Sequence, residues 1–188
     1  EESSSDFEIE TLSVTDFSNI FLTAAPYIAK HRSAATVIHL PGKVIGDSKL
    51  LDQIMVDISI MHLLGVELVL VLGTSDLLDD RLEKAGLQAE YHLGKRIIDD
   101  NSMQILKEVS GLVRFEAERS LTRSFVGQES INVVSANSFY VSQPIGVRDG
   151  VDFQFTGSIR KIEAANILKR LAEKDIVLLS TLGYSPSG

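Results

Sequence analysis

Residues 66–73, VELVLVLG, constrain the fold more than any other stretch, because Glu67 alone interrupts an otherwise apolar run. A strand with one wet face alternates polar and apolar side chains. An unbroken apolar strand needs cover on both faces, which parallel α/β sheets supply. Immediately upstream, KLLDQIMVDISIMHLLG repeats its apolar residues at helical spacing and closes on Gly65, suited to the left-handed position that ends a helix. Before that helix, TVIHL is a short β-branched strand. Strand, helix and strand at this spacing make a βαβ unit with a right-handed crossover. The predicted class is α/β, a three-layer α/β/α arrangement around a mainly parallel sheet.

The remaining segments extend that plan. SVTDFSNIFLTAAPYIAKHR reads as an amphipathic helix capped by Ser13 or Thr15, with Phe17, Ile20, Phe21, Ala24 and Ile28 at helical spacing; Pro26 inside it predicts a kink or a break near Ala25. DLLDDRLEKAG is a helix with Asp76 as its N-cap and Gly86 as its stop. DDNSMQILKEVSGLVRFEAERSLTR is a longer one, expected to be interrupted at Gly111. INVVSANSFYVSQPI and GVDFQFTGSIRKI read as hairpins on an edge of the sheet. EAANILKRLAEKD is the last helix, and IVLLSTL is the last strand, of the kind that lies inside a sheet. Such a strand calls for a covering helix after it, so the chain reads as a fragment whose continuation follows residue 188. Residues 1–12, acidic and Ser-rich, read as a mobile tail before a domain over 13–188.

Composition removes several function classes. The net charge of -8 argues against a nucleic-acid partner, which needs clustered Lys and Arg. With no cysteine, there is no disulfide, thiolate metal site or cysteine nucleophile. His31, His39, His62 and His92 show no metal-ligand spacing, so no metal is expected. No apolar run reaches the roughly 20 residues of a membrane span.

Two strand-to-helix loops are candidates for ligand binding. TVIHLPGKVIGD has the layout of a phosphate-cradling loop, yet Val37 and Val44 stand where a Walker loop needs Gly and Ser or Thr. What remains is a looser loop in which Gly42 lets backbone amides approach a phosphate, or a structural turn. LVLVLGTSD places Gly73 beside it, at the carboxyl ends of parallel strands where open sheets bind ligands. Thr74 and Ser75 either meet a ligand there or cap the following helix. Arg96 in GKRIID suits carboxylate recognition or a solvated turn. Asp57, Asp99 and Asp100 read as helix caps or solvent-facing acids, and no nucleophile–base pair is apparent.

Several separated segments go further. AAPYIAKHR, TVIHLPGKVIGD, DISIMHLLGVELVLVLG, GKRIIDD, INVVSAN, GVRDGVDFQFTGSIRKIEAANILKRL and IVLLSTLGYSPSG resemble, in order, the amino-acid-kinase-like domain of the N-acetylglutamate synthase family. DGVDF…TGSIRKI and LGYSPSG are most similar to the plant and algal plastid members. The resemblance implies the carbamate-kinase-like fold, incomplete here, and a parent enzyme that moves acetyl from acetyl-CoA to L-glutamate at the start of arginine biosynthesis. It implies feedback inhibition by L-arginine, a homo-oligomer and a plastid location. Acetyl transfer belongs to a separate domain in the family, so no catalytic residue and no cofactor is expected in this fragment.

Residue by residue, the related acetylglutamate kinases carry a strand lysine and a Gly-Gly turn where this chain has His39 and Pro41–Gly42. A neutral imidazole and a residue without N–H replace a fixed cation and a donor, which implies that phosphoryl transfer is lost. Tyr27 matches a tyrosine that borders the arginine site in arginine-sensitive members, and Arg96 matches an arginine on the substrate carboxylate in the kinases. Two other readings compete: a working acetylglutamate kinase, and a non-enzymatic module that senses arginine or binds a partner.

Overall fold

The apolar run becomes the second strand of a four-stranded, all-parallel sheet. The structure is a computed structural model that describes residues 13–124 and 131–186, and the expected tail at 1–12 lies outside them. In chain order the first elements are α1 (Val14–His31), β1 (Ala35–Leu40), α2 (Gly42–Gly46), α3 (Ser48–Leu63), β2 (Glu67–Leu72) and α4 (Ser75–Lys84). A small hairpin, β3 (Glu90–His92) and β4 (Lys95–Ile97), precedes the long α5 (Asp100–Arg123). Then come β5 (Val133–Val134), β6 (Tyr140–Pro144), β7 (Val147–Arg148), β8 (Val151–Asp152), β9 (Gly157–Ile162), α6 (Ala164–Ala172) and β10 (Ile176–Ser180).

The sheet order is β1-β2-β10-β5, so β10 lies in the interior as its apolar sequence requires. Register sets the two faces. Ile38 pairs with Leu70 and Leu70 with Leu178, and this first face packs against Leu51, Met55 and Ile58 of α3 and Val109, Val113 and Ala117 of α5. Val37, Val69 and Val177 share the opposite, second face, where Phe139 and Leu171 of α6 cover Val69 and Val177. Val37 keeps 66% of its surface exposed, so cover on the second face stops short of β1.

Several local expectations are corrected. α1 runs through Pro26 as one helix, so the break, one of the two expected outcomes, does not occur. The carbonyl that proline deprives of a partner belongs to Leu22, an exposed residue, where solvent lowers the cost of the lost bond. α5 runs unbroken through Gly111, because the packed stripe of Val109, Val113, Ala117 and Leu121 outweighs the roughly 1 kcal/mol that a helical glycine costs. Of the expected edge hairpins, β5 joins the main sheet as a parallel edge strand, while β6 pairs with β9 and β7 with β8 in separate antiparallel ribbons. Asp99 caps α5 as expected, accepting from the Ser102 N–H at 2.8 Å.

α3 and α5 are locked by a polar pair beside the core. The Ser120 hydroxyl donates to Asp52 at 2.6 Å, with Arg119 at 3.4 Å and Arg123 at 3.6 Å from the same carboxylate. The Ser120 hydroxyl holds the Asp52 carboxyl below its ordinary value; burial opposes the shift and the two guanidinium groups add to it. A carboxyl whose pKa is depressed by folding adds stability above its unfolded pKa and loses it as pH falls through the folded one. Ser120→Ala should therefore lower the melting temperature at neutral pH by a few degrees. Thermal melts across an acid titration should show the gap to wild type closing below the ordinary carboxylate range.

Candidate functional site

Both candidate loops lie where the sequence places them, at the carboxyl ends of β1 and β2, and they touch through backbone. Leu40 ends β1, Pro41 follows in extended conformation and Gly42 opens the five-residue α2. The Gly73 N–H donates to the Leu40 carbonyl at 2.8 Å, carrying the ladder one step past β2. A Cβ on Gly73 would lie 3.0 Å from His39 Nε2, 3.1 Å from the Leu40 carbonyl oxygen and 3.2 Å from the Gly42 nitrogen. Glycine at 73 is thus what lets the loops meet. Gly42 is less confined, since a Cβ there would stand 3.4 Å from Asp76 and the Gly73 carbonyl.

Three amides of the first loop are already committed. Asp76 does not cap its own helix; Thr74 is the residue at that position, without a side-chain capping bond. The Asp76 carboxylate instead reaches the first loop and accepts from the Lys43 N–H at 3.0 Å. The N–H groups of Val44 and Ile45 both donate to the Pro41 carbonyl, at 3.0 and 3.2 Å. Pro41 has no N–H to give. The layout of a phosphate loop is present, and a side-chain carboxylate sits on the Lys43 amide.

Thr74 is buried and shares a 2.8 Å hydrogen bond with the Thr181 hydroxyl, tying the end of β2 to the segment after β10. That segment is pinned further. The Tyr140 hydroxyl lies 2.6 Å from the Ser180 carbonyl and 3.1 Å from that of Leu182, and the Ser142 N–H donates to the Tyr184 carbonyl at 2.8 Å. Burial, with Tyr184 nearby, raises the Tyr140 pKa, which keeps the phenol protonated as a donor.

Arg96 sits in β4 rather than in a polar turn. Its guanidinium is largely buried, 2.6 Å from Asp79 and 5.0 Å from the centre of the Tyr91 ring. The Asp79 contact is an ion pair by distance, with the N–H pointing off the line to the carboxylate. Arg96 therefore already holds a carboxylate of this chain, on the same helix as Asp76. Tyr27 is 67% exposed on α1, a helix with no buried residue, and among the described residues no hydrogen bond or ring contact joins it to the loops. The structure thus brings Gly42, Gly73 and His39 together, links Arg96 to them only through α4, and leaves Tyr27 apart.

The sequence points to Asp76 only as a helix cap and gives no signal for Tyr140. A carboxylate within three residues of a loop glycine signals both a helix cap and a partner for a neighbouring loop, and only the fold separates the two. Among the described residues no group of three or more His, Asp or Glu could hold a metal ion, and no helix is long and apolar enough to cross a membrane.

Comparison with known proteins gives a consistent picture. No protein-family model matches the chain. The amino-acid acetyltransferase of Aeromonas salmonicida is 37% identical over 172 residues, 89% of this chain and 38% of its own length. That of Pseudomonas fluorescens is 37% identical over 176 residues, 92% of this chain and 40% of its own. A crystal structure of N-acetylglutamate synthase from Neisseria gonorrhoeae, complexed with coenzyme A and L-arginine, superposes with a TM-score of 0.85 at 33% identity, covering 92% of this chain and 41% of that one. A carbamate kinase from Giardia lamblia, 17% identical with a TM-score of 0.53, shares the fold alone. The chain thus spans about two fifths of the length of the acetyltransferases it matches.

The close approach at Gly73 is directly testable. Gly73→Ala should destabilise by about 1–3 kcal/mol, because two of the three atoms it meets are backbone. Gly42→Ala should stay within about 1 kcal/mol, since helix propensity offsets its looser contact. Urea denaturation of the two variants checks the contrast, and equal losses would contradict the loop geometry. From fold, site and relatives together, the chain carries an amino-acid-kinase-like α/β domain, similar in sequence to amino-acid acetyltransferases and in structure to an N-acetylglutamate synthase.

Proposed function

We propose that this chain is the N-terminal, kinase-inactive regulatory part of an N-acetylglutamate synthase, whose whole form transfers acetyl from acetyl-CoA to L-glutamate under control by L-arginine. The observation that carries the reading is coverage. Nearly the whole chain aligns with two fifths of such a synthase at a TM-score of 0.85, and the remainder of that length has no counterpart here. Acetyl transfer belongs to that remainder, and domain 13–188 supplies no catalytic residue to it.

Loss of phosphoryl transfer is supported by the loop chemistry. A transferring phosphoryl group needs fixed positive charge and free donors. The chain offers an imidazole at His39, a proline at 41 and an amide at Lys43 that already serves Asp76. Arginine control is assigned to the α1 side. Tyr27 presents an exposed ring on which a guanidinium can stack, and the rest of that site would come from the part absent here. The exposed apolar residues of α1, Phe17, Ile20 and Phe21 among them, fit a helix that packs in a homo-oligomer. Plastid location is carried by the likeness of DGVDF…TGSIRKI and LGYSPSG to plastid members, and a fluorescent fusion to the complete precursor tests it.

The decisive assay follows CoA release by the parent protein from acetyl-CoA. Release that depends on glutamate and falls with arginine is the expected result; no release from a folded parent would refute the synthase reading. ADP formation from ATP and N-acetylglutamate should stay at background. Tyr27→Ala should raise the arginine concentration for half-inhibition about tenfold, the loss of one cation–π contact. An unchanged arginine response would remove Tyr27 from the site.

A further inference from the structure

The hairpins β3–β4 and β7–β8 and the ribbon β6–β9 border a cavity of about 300 Å³, whose lining includes no residue of the loops after β1 and β2. Phe153, buried, and Ile145, half-buried, give it an apolar floor, and the His92 ring stands 5.9 Å from that of Phe153. Lys95, Gln143, Arg148, Asp149 and Ser158 supply its polar groups. Among the described residues, none of these five side chains has a hydrogen-bond or ion-pair partner. We propose that the cavity binds a small monocarboxylic acid with an apolar body, its carboxylate held by Lys95 and Arg148 and its body laid on Phe153 and Ile145. The site goes beyond the synthase reading and does not depend on it.

The two hairpins carry their cations beside short, fixed turns. His92 pairs with Lys95 across the two-residue turn Leu93–Gly94, with φ of 50° and 74°. Arg148 pairs with Val151 across Asp149–Gly150, with φ of 51° and 79°. Positive φ at both central residues marks the type I′ turn, whose twist matches that of the flanking strands. Backbone bonds fix the first hairpin against the segment after the second. The Thr156 hydroxyl donates to the Arg96 carbonyl at 2.6 Å and accepts from the Ile98 N–H at 3.1 Å, and the Phe155 N–H donates to the Ile98 carbonyl at 3.0 Å. Gln143 and Ser158 are opposite residues of β6 and β9, so their side chains leave that ribbon on one face. The backbone under all five polar groups is thus set before a ligand arrives, which lowers the ordering cost of binding.

Charge selects the ligand. Lys95 and Arg148 against Asp149 leave a net positive charge that a single carboxylate neutralises. A phosphate dianion or a dicarboxylate would bring a second negative charge beside Asp149, a repulsive element against such competitors. The Arg148 guanidinium can take both oxygens of a carboxylate, and the Lys95 ammonium adds a point charge. The volume lies at the lower end of the range of roughly 300–1,000 Å³ for small-molecule sites, so the body is short. Leu93 supplies a further apolar contact. It lines the cavity at a φ of 50°, where leucine is an uncommon and strained occupant, and 71% of its surface is exposed. Asparagine suits that turn position better and would cost the core nothing, so the fold alone does not call for leucine there.

A saturation-transfer NMR titration of the parent protein with isocaproate, a branched aliphatic monocarboxylate, tests the site. The uncharged isocaproamide and the dicarboxylate succinate serve as controls. Isocaproate should bind saturably, and both controls about tenfold more weakly. Lys95→Gln and Arg148→Gln should each weaken isocaproate binding about tenfold, and Asp149→Asn should bring succinate to parity. Leu93→Asn should keep or raise the melting temperature while weakening binding about threefold, a split that a merely structural leucine would not produce. No saturable binding by the folded parent would overturn the proposal. So would equal binding of the amide, or succinate binding as tightly as isocaproate to the wild-type protein. Binding that persists when Lys95→Gln and Arg148→Gln are combined, in a variant that keeps the wild-type melting temperature, would place the acid elsewhere and refute the site.

Discussion

The structure depends on β2 lying between two parallel neighbours with cover on both sides. Leu68, Val69, Leu70 and Leu72 are all buried, and each contributes roughly 1.5–3 kcal/mol by leaving water. Against a net domain stability of about 5–15 kcal/mol, that one strand matches the margin on which the fold exists. Its neighbours follow from it. β1 and β10 are held to it residue by residue, α3 and α5 seal the first face, and the loops of the candidate site sit where β1 and β2 end.

At those loops the physics of the backbone and the physics of charge diverge. Gly73 keeps two strand ends within touching distance, as a site for a small ligand would need. The charge placed there has the sign opposite to what a phosphate needs. Asp76 brings a carboxylate to the Lys43 amide, and Arg96, a cation suited to binding an acid, is paired with Asp79. An incoming phosphate would meet the Asp76 carboxylate at the Lys43 amide and the field of a chain with net charge -8. Close approach of two loops and fixed positive charge for a phosphate are separable properties, and these loops pair the first with two carboxylates.

The central architecture was legible because it is written in periodicity. The unbroken apolar character of β2 and β10 and the helical spacing of α3 were enough to place a parallel sheet. Legibility failed where a local rule was outvoted by partners distant in sequence. Gly111 and Pro26 obey their propensities only when nothing else holds the helix, and exposure or packing decided each case. Capping is local, so the sequence of α4 offers Asp76 as a cap, while its actual partner lies on a loop that only the fold brings near. The Tyr140 clamp was invisible for the same reason, since its acceptors are two backbone carbonyls some forty residues downstream. Arg96 was visible as a residue but not as a pair.

The sheet order has a consequence for how the chain can be assembled. Among the described strands β10 comes after β2 and β5 in sequence but sits between them, so those two have no shared ladder until it inserts. On a ribosome, β1, α3 and β2 can form a local unit early, whereas β5 must wait for residues near 176 before it has a pairing partner. Pairings that span most of the chain carry a large loop-closure cost and slow the search. During that interval both free sides of β2's neighbourhood are apolar and unpaired, a state prone to association with other chains. The interior position that makes β10 so secure once placed also makes its arrival the step on which productive folding turns.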